Sequence, residues 1–305
     1  MKRFILTVTF LVFISLNGAN ALENNPVSKF GIAISNDAEQ IAYSVNGSGK
    51  TALIFIHGWS LDSRLWQNQI DYFSEEYQVI TIDLAGHGNS SFNREEYTMV
   101  SFANDIKAVI EKERIDSAIL VGHSMGGGII AEAAKLMPNK VIGIIGVDTS
   151  QNVALKFSQD DLDLMTKPFE DDFQSGIAAF VKDSLPKNVE PELLYWVRED
   201  MASAPKDIAI NQFRNYLGQY VSGESYRVYE SINVPVVLVN ARLWPTNSAE
   251  NKKHIKDYSI YYIEESGHFP MLEKPHEFNK ILFEAVKSVK SVKSVKSVKS
   301  VKSVK

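Results

Sequence analysis

Gly122-His123-Ser124-Met125-Gly126 follows an apolar run at residues 118–121 and leads into Gly127-Gly128 and a helical stretch at 129–136. This is G-x-S-x-G in the setting its chemistry needs. The serine falls on a sharp turn between a buried strand and a helix, and glycines two residues to either side leave room where the backbone crowds itself. The strand before and the helix after carry the reading, because the five letters alone also fit a glycine-rich turn with an incidental serine. A hydroxyl so placed is a candidate nucleophile, and the helix starting beside it aims unpaired N–H groups at any negative charge that develops there.

Further runs at 52–56, 79–82, 141–147, 234–239 and 260–263 are rich in Val and Ile and bounded by Gly, Asp or Asn, the pattern of buried parallel strands. Between them, Trp66, Ile70 and Phe73, and then Phe102, Ile106, Val109 and Ile110, recur at helical spacing and present one apolar stripe each to a sheet. Segments 30–34 and 40–45, separated by Asn36-Asp37, predict an antiparallel hairpin at the sheet edge. The fold class is α/β: a mostly parallel twisted sheet flanked by helices. Residues 151–222 break the alternation with helical stripes alone, so they predict an all-helical lid inserted between two strands of a core formed by 22–150 and 223–286. Phe157, Phe169, Phe173, Tyr195, Trp196 and Tyr216 in this insertion would either line an apolar substrate pocket or pack the lid helices together.

A nucleophilic serine needs a base, and its oxyanion needs donors. Gly267-His268 follows the last strand, where a loop at the sheet's carboxyl edge would bring an imidazole to Ser124. His57, His87 and His123 sit in turns and read as loop braces, while His254 and His276 lie on polar helical stretches. The backbone N–H of Met125 at the helix start and that of Trp59, after His57-Gly58, are the candidate oxyanion donors.

These motifs, with Asp83-Leu84-Ala85-Gly86-His87-Gly88 and Gly267-His268-Phe269-Pro270, resemble the α/β-hydrolase superfamily over residues 27–285, specifically its lid-bearing serine esterases and perhydrolase-like members. The resemblance implies Ser124 as nucleophile, His268 as base, Trp59 and Met125 as the oxyanion hole, and a structural role for Asp83. It disfavours epoxide hydrolase and dehalogenase chemistry, since those relatives carry an aspartate where Ser124 stands. One departure stands out. Such proteins usually carry the triad's acid after the strand at 234–239, but the stretch from Asn240 to Asn247 has no carboxylate. The strand at 141–147 ends in Asp148, and some superfamily members place the acid there. Neighbouring parallel strands lie about 4.8 Å apart, so a carboxylate at that end would reach the far nitrogen of the same histidine. The plainer reading of Asp148 is a turn or cap ahead of Thr149-Ser150.

The expectation is a hydrolase of small or medium apolar carboxylic esters that needs no metal or organic cofactor. The same triad would serve carbon–carbon bond or lactone hydrolysis, and a ligand-binding receptor with little turnover is the reading from another class. Composition narrows the field further. In 305 residues there is no cysteine, which excludes disulfides, thiolate metal sites and cysteine nucleophiles. Residues 1–21 combine Lys2 and Arg3, an apolar stretch and Ala19-Asn20-Ala21, the pattern of a secretory signal peptide, so the protein is expected to be exported to a periplasmic or extracellular location. From 287 to 305 the chain repeats Val-Lys-Ser, read as a solvated extension of the last helix, or else as a cationic tail for a membrane or anionic polymer. Setting aside Lys2, Arg3 and the seven tail lysines takes the formal charge from −5 to −14, which speaks against nucleic-acid binding.

Overall fold

A computed structural model describes residues 28–302, with side chains described to residue 291; the expected signal peptide lies outside the described residues. Among the described residues eight strands form one sheet: β1 (Lys29–Ile34), β2 (Gln40–Asn46), β3 (Ala52–Ile56), β4 (Gln78–Ile82), β5 (Ala118–His123), β6 (Val141–Val147), β7 (Val236–Ala241) and β8 (Tyr258–Ile263). Their order is β1-β2-β4-β3-β5-β6-β7-β8. The β1–β2 hairpin is antiparallel, as expected, and β2 joins β4 antiparallel; the remaining pairs are parallel. β3 and β5 to β7 are buried along almost their whole length, which explains their unbroken apolar runs.

Helices α1 (Gln67–Ser74), α2 (Met99–Lys112) and α3 (Met125–Leu136) connect the first strands. Between β6 and β7 come five helices and no strand: α4 (Gln159–Asp171), α5 (Phe173–Ser184), α6 (Pro191–Ala202), α7 (Lys206–Ser222) and α8 (Glu224–Ser231). The helical insertion therefore runs one helix beyond residue 222. Gly223, at φ 80°, ends α7 in the left-handed conformation and turns the chain so that α8 packs back on α3. Then follow α9 (Ser248–His254), the short α10 (Pro270–Glu273) and α11 (Pro275–Lys302).

α11 changes the reading of the repeat. Phe278, Leu282, Ala285, Val286 and Val289 are all fully buried at helical spacing, and Val289 packs on Gly143 of β6. The core thus extends past the expected boundary at residue 286. A three-residue period drifts by only about 60° per repeat on a 3.6-residue helix, so Val286 and Val289 still share the core face. Among the described residues, no helix is long and apolar enough to cross a membrane.

Candidate active site

The parallel register sets the site. Within the β5–β6 pair His123 is opposite Val147, so the next residues, Ser124 and Asp148, emerge side by side at the carboxyl edge of the sheet. Ser124 has φ 53° and ψ −118° and stands as N-cap of α3. Its backbone N–H donates to the Val147 carbonyl at 3.1 Å, and its carbonyl accepts from Gly127 N–H at 2.9 Å and from Thr149 Oγ1 at 2.7 Å. The flanking glycines are sterically required: a Cβ on Gly122 would lie 2.4 Å from the Gly126 oxygen, and one on Gly126 would lie 2.9 Å from the oxygens of Ile56 and His57. Asp148 (φ 41°) and Ser150 (φ 52°) are also left-handed. Such residues persist only where surrounding bonds over-determine them, and they cluster at functional sites.

His268 Nδ1 lies 2.5 Å from Asp148 Oδ2, with both residues buried. The second carboxylate oxygen of Asp148 accepts the backbone N–H of Ala241 at 3.0 Å. The end of β7, which carries no acid of its own, therefore holds the acid of β6. Four rings surround the imidazole: Trp244 and His123, each at 4.6 Å between centroids, Phe269 at 5.2 Å, and Phe180 of α5, edge-on at 6.2 Å. His123 Nε2 donates to the His268 carbonyl at 2.8 Å, and burial keeps this second imidazole neutral by lowering its pKa well below the ordinary value.

Ser124, His268, Asp148, Trp59 and Met125 all line one cavity of about 390 Å³. Met125 opens α3, where backbone N–H groups lack intrahelical partners. The Trp59 indole bonds the insertion, donating to the Ala209 carbonyl at 2.7 Å and stacking on Phe213 at 4.5 Å. Of the six aromatics named from the sequence, Phe157 and Tyr216 line the cavity. Phe169 and Phe173 instead pack edge-on around Trp59, Tyr195 is exposed, and Trp196 lies beside Arg64. Phe180, Phe213 and Tyr220 complete the aromatic wall.

The sequence profile of the α/β-hydrolase fold family matches residues 51–275. The chain belongs to that family. It is 28% identical over 75% of its length to the AB hydrolase superfamily protein YisY of Bacillus subtilis, covering 89% of that protein. It is 26% identical to the pimeloyl-[acyl-carrier protein] methyl ester esterase of Wigglesworthia glossinidia brevipalpis, covering 80% of this chain and 97% of that one. Among solved structures, an esterase from Exiguobacterium antarcticum superposes with a TM-score of 0.75 at 21% identity, over 84% of this chain and 98% of that one.

Within this α/β-hydrolase the braces fall where their turns suggested. The His57 ring donates from Nδ1 to the Gly58 carbonyl and accepts the Leu84 N–H at Nε2, and Asp83 accepts the N–H groups of Ser63 and Asn89. Three residues have roles that the sequence motifs do not assign. Glu273 accepts N–H groups from Gly267 at 2.7 Å and Phe269 at 2.9 Å, clamping the loop on both sides of His268. Asn240 bonds both the N–H and the carbonyl of Thr149. Thr149 in turn holds the Ser124 carbonyl. The available signal was an Asn at a strand end and a Glu five residues after the histidine; the Asn partner lies 91 residues away, whereas Glu273 bonds N–H groups only six and four residues before it.

Proposed function

We propose that this α/β-hydrolase is a serine hydrolase that cleaves a carboxylic ester of a small or medium apolar substrate through an acyl-enzyme. The observation that carries the reading is His268, bonded to Asp148 through Nδ1 and sharing with Ser124 the floor of an apolar cavity. Asp148 accepts the Nδ1 proton and so fixes the tautomer in which Nε2 is a bare base. His268 takes the Ser124 proton as Oγ attacks the ester carbonyl carbon, and the oxyanion is held by the Trp59 and Met125 N–H groups. Collapse breaks the bond to the alkoxide, which leaves with the proton from His268. Water, activated by the same nitrogen, then attacks the acyl carbon and releases the acid, returning the proton to Ser124.

The wall formed by Phe157, Met165, Met201, Phe213 and Leu217 suits an apolar acyl or alcohol group and shields the imidazolium–carboxylate pair from water. Hydrolysis of p-nitrophenyl esters from acetyl to palmitoyl, with Ser124→Ala alongside, tests the reading. Turnover by the wild type and none by the variant supports it, and the chain-length optimum sizes the cavity. Equal rates for the two proteins would remove Ser124 from the mechanism. A single burst of labelling without steady-state turnover would favour a receptor.

A further inference from the structure

A second cavity, of about 350 Å³, abuts the first, with Leu61 in the wall of both. Three distant segments close it: residues 60–64 after β3, the turn at 86–90, and residues 200–205 where α6 gives way to α7. Its chemistry is unlike that of its neighbour. Asp62, Arg64, His87 and Asp200 meet there, and three buried side-chain atoms of its lining residues have no hydrogen-bond partner: Ser60 Oγ, His87 Nε2 and Asp200 Oδ2. All three residues are more than nine-tenths buried, at 2%, 6% and 8% exposure. A buried polar atom without a partner has lost its hydration and gained nothing in return, so three around one cavity call for a ligand that supplies the missing bonds.

The partners of these residues fix which bonds are missing. His87 Nδ1 lies 3.2 Å from the Ala85 oxygen, which can only accept, so the proton is on Nδ1 and Nε2 offers a lone pair. Burial, reinforced by His57, lowers His87 to about 3, so the ring stays neutral near pH 7. Asp200 uses Oδ1 for Arg64 and has Oδ2 to spare. Arg64 is shared between Asp62 and Asp200, and Asp83 adds a third carboxylate whose charge Asp200 and Arg64 both feel. The cavity therefore combines an excess of negative charge with acceptor atoms. Among the described residues no three His, Asp or Glu side chains are grouped to hold a metal ion.

We propose that this cavity binds a small primary ammonium compound, whose head group donates one N–H each to Asp200 Oδ2, His87 Nε2 and Ser60 Oγ. An alkylammonium carries three donors and no acceptor, and each of the three atoms can accept one. The exposed Phe92 ring at the rim gives the alkyl part an apolar surface. Binding is linked to protons. Burial first and the nearby Asp62 second raise Asp200 to about 7, and a cation at Oδ2 opposes both, so uptake at about pH 6 releases a proton from Asp200.

Calorimetric titration of the full chain with ethanolamine hydrochloride, ethylene glycol and sodium chloride at matched ionic strength tests this without reading catalysis. The expected result is saturable uptake of one ethanolamine, with proton release seen as a buffer-dependent heat, and no uptake of the glycol or the salt. Asp200→Asn should weaken ethanolamine at least tenfold, and Ser60→Ala, which leaves the Arg64 pairing in place, severalfold. Absence of saturable heat, equal binding of ethylene glycol, or undiminished binding by both variants would overturn the proposal.

Discussion

Asp148 Oδ2 lies 2.5 Å from His268 Nδ1 while Asp148 Oδ1 accepts the N–H of Ala241 at 3.0 Å. One carboxylate at the end of β6 thus orients the imidazole and is itself held by the end of β7. If Asp148 is the triad acid, Asp148→Asn should lower kcat by on the order of 10⁴, because the amide stabilises the wrong tautomer and leaves the imidazolium without its counter-charge. The folded structure should persist, checked by near-UV circular dichroism beside the rate. A variant within a few-fold of wild type would place the acid elsewhere.

Gly122→Ala should damage the serine turn more than a surface change would. The added Cβ meets backbone at the Gly126 oxygen, 2.4 Å away, where neither partner is a flexible side chain. Overpacking of this kind costs about 1–3 kcal/mol. Urea unfolding should show the loss, and ester turnover should fall further than the stability change alone explains.

Glu273 positions His268 without touching it. Glu273→Ala leaves the N–H groups of Gly267 and Phe269 without their acceptor, a loss of about 1–3 kcal/mol in stability for buried donors left unpaired. The expected kinetic signature is a fall in kcat with KM little changed, and partial recovery in Glu273→Gln, which keeps one carbonyl acceptor. An equal fall in the glutamine variant would show that the charge itself is needed.

Asp200 gives the stability a pH signature. Its folded carboxyl is raised to about 7 by burial and by Asp62, against about 3.9 for the unfolded chain. Below pH 4 both states hold the proton and the contribution is fully present; from there to about pH 7 only the folded state holds it, and the contribution is lost. The thermal midpoint of the wild type, taken relative to Asp200→Asn, should therefore decline between about pH 4 and pH 7 and level off above. A flat difference across that range would contradict the burial argument.

The features legible in the sequence were those fixed by local rules. Buried parallel strands announced themselves as Val- and Ile-rich runs, and each observed strand overlaps its expected segment; the turn around Ser124 was readable because sterics allow little but glycine at 122 and 126. Asp148 was readable as a candidate because strand ends in a parallel sheet are neighbours. What stayed hidden depends on geometry that no local pattern announces: Asn240 is an ordinary polar residue until folding brings Thr149 to it, and Glu273 until the loop after β8 folds the N–H groups of Gly267 and Phe269 onto its carboxylate. Val289 looked like part of a featureless repeat, since nothing local marks Gly143 of β6 as its partner. The spacing of Phe169 and Phe173 fits either a pocket wall or lid packing, and the position of Trp59 between the lid helices decides for packing.

The most direct test of the proposed mechanism is peptide mass spectrometry after exposure to a fluorophosphonate, which forms a stable bond to a nucleophilic serine oxygen. One label per chain is expected, on Ser124, lost in Ser124→Ala and formed far more slowly in Asp148→Asn. A folded wild-type chain that hydrolyses esters while Ser124 remains unmodified would contradict that mechanism.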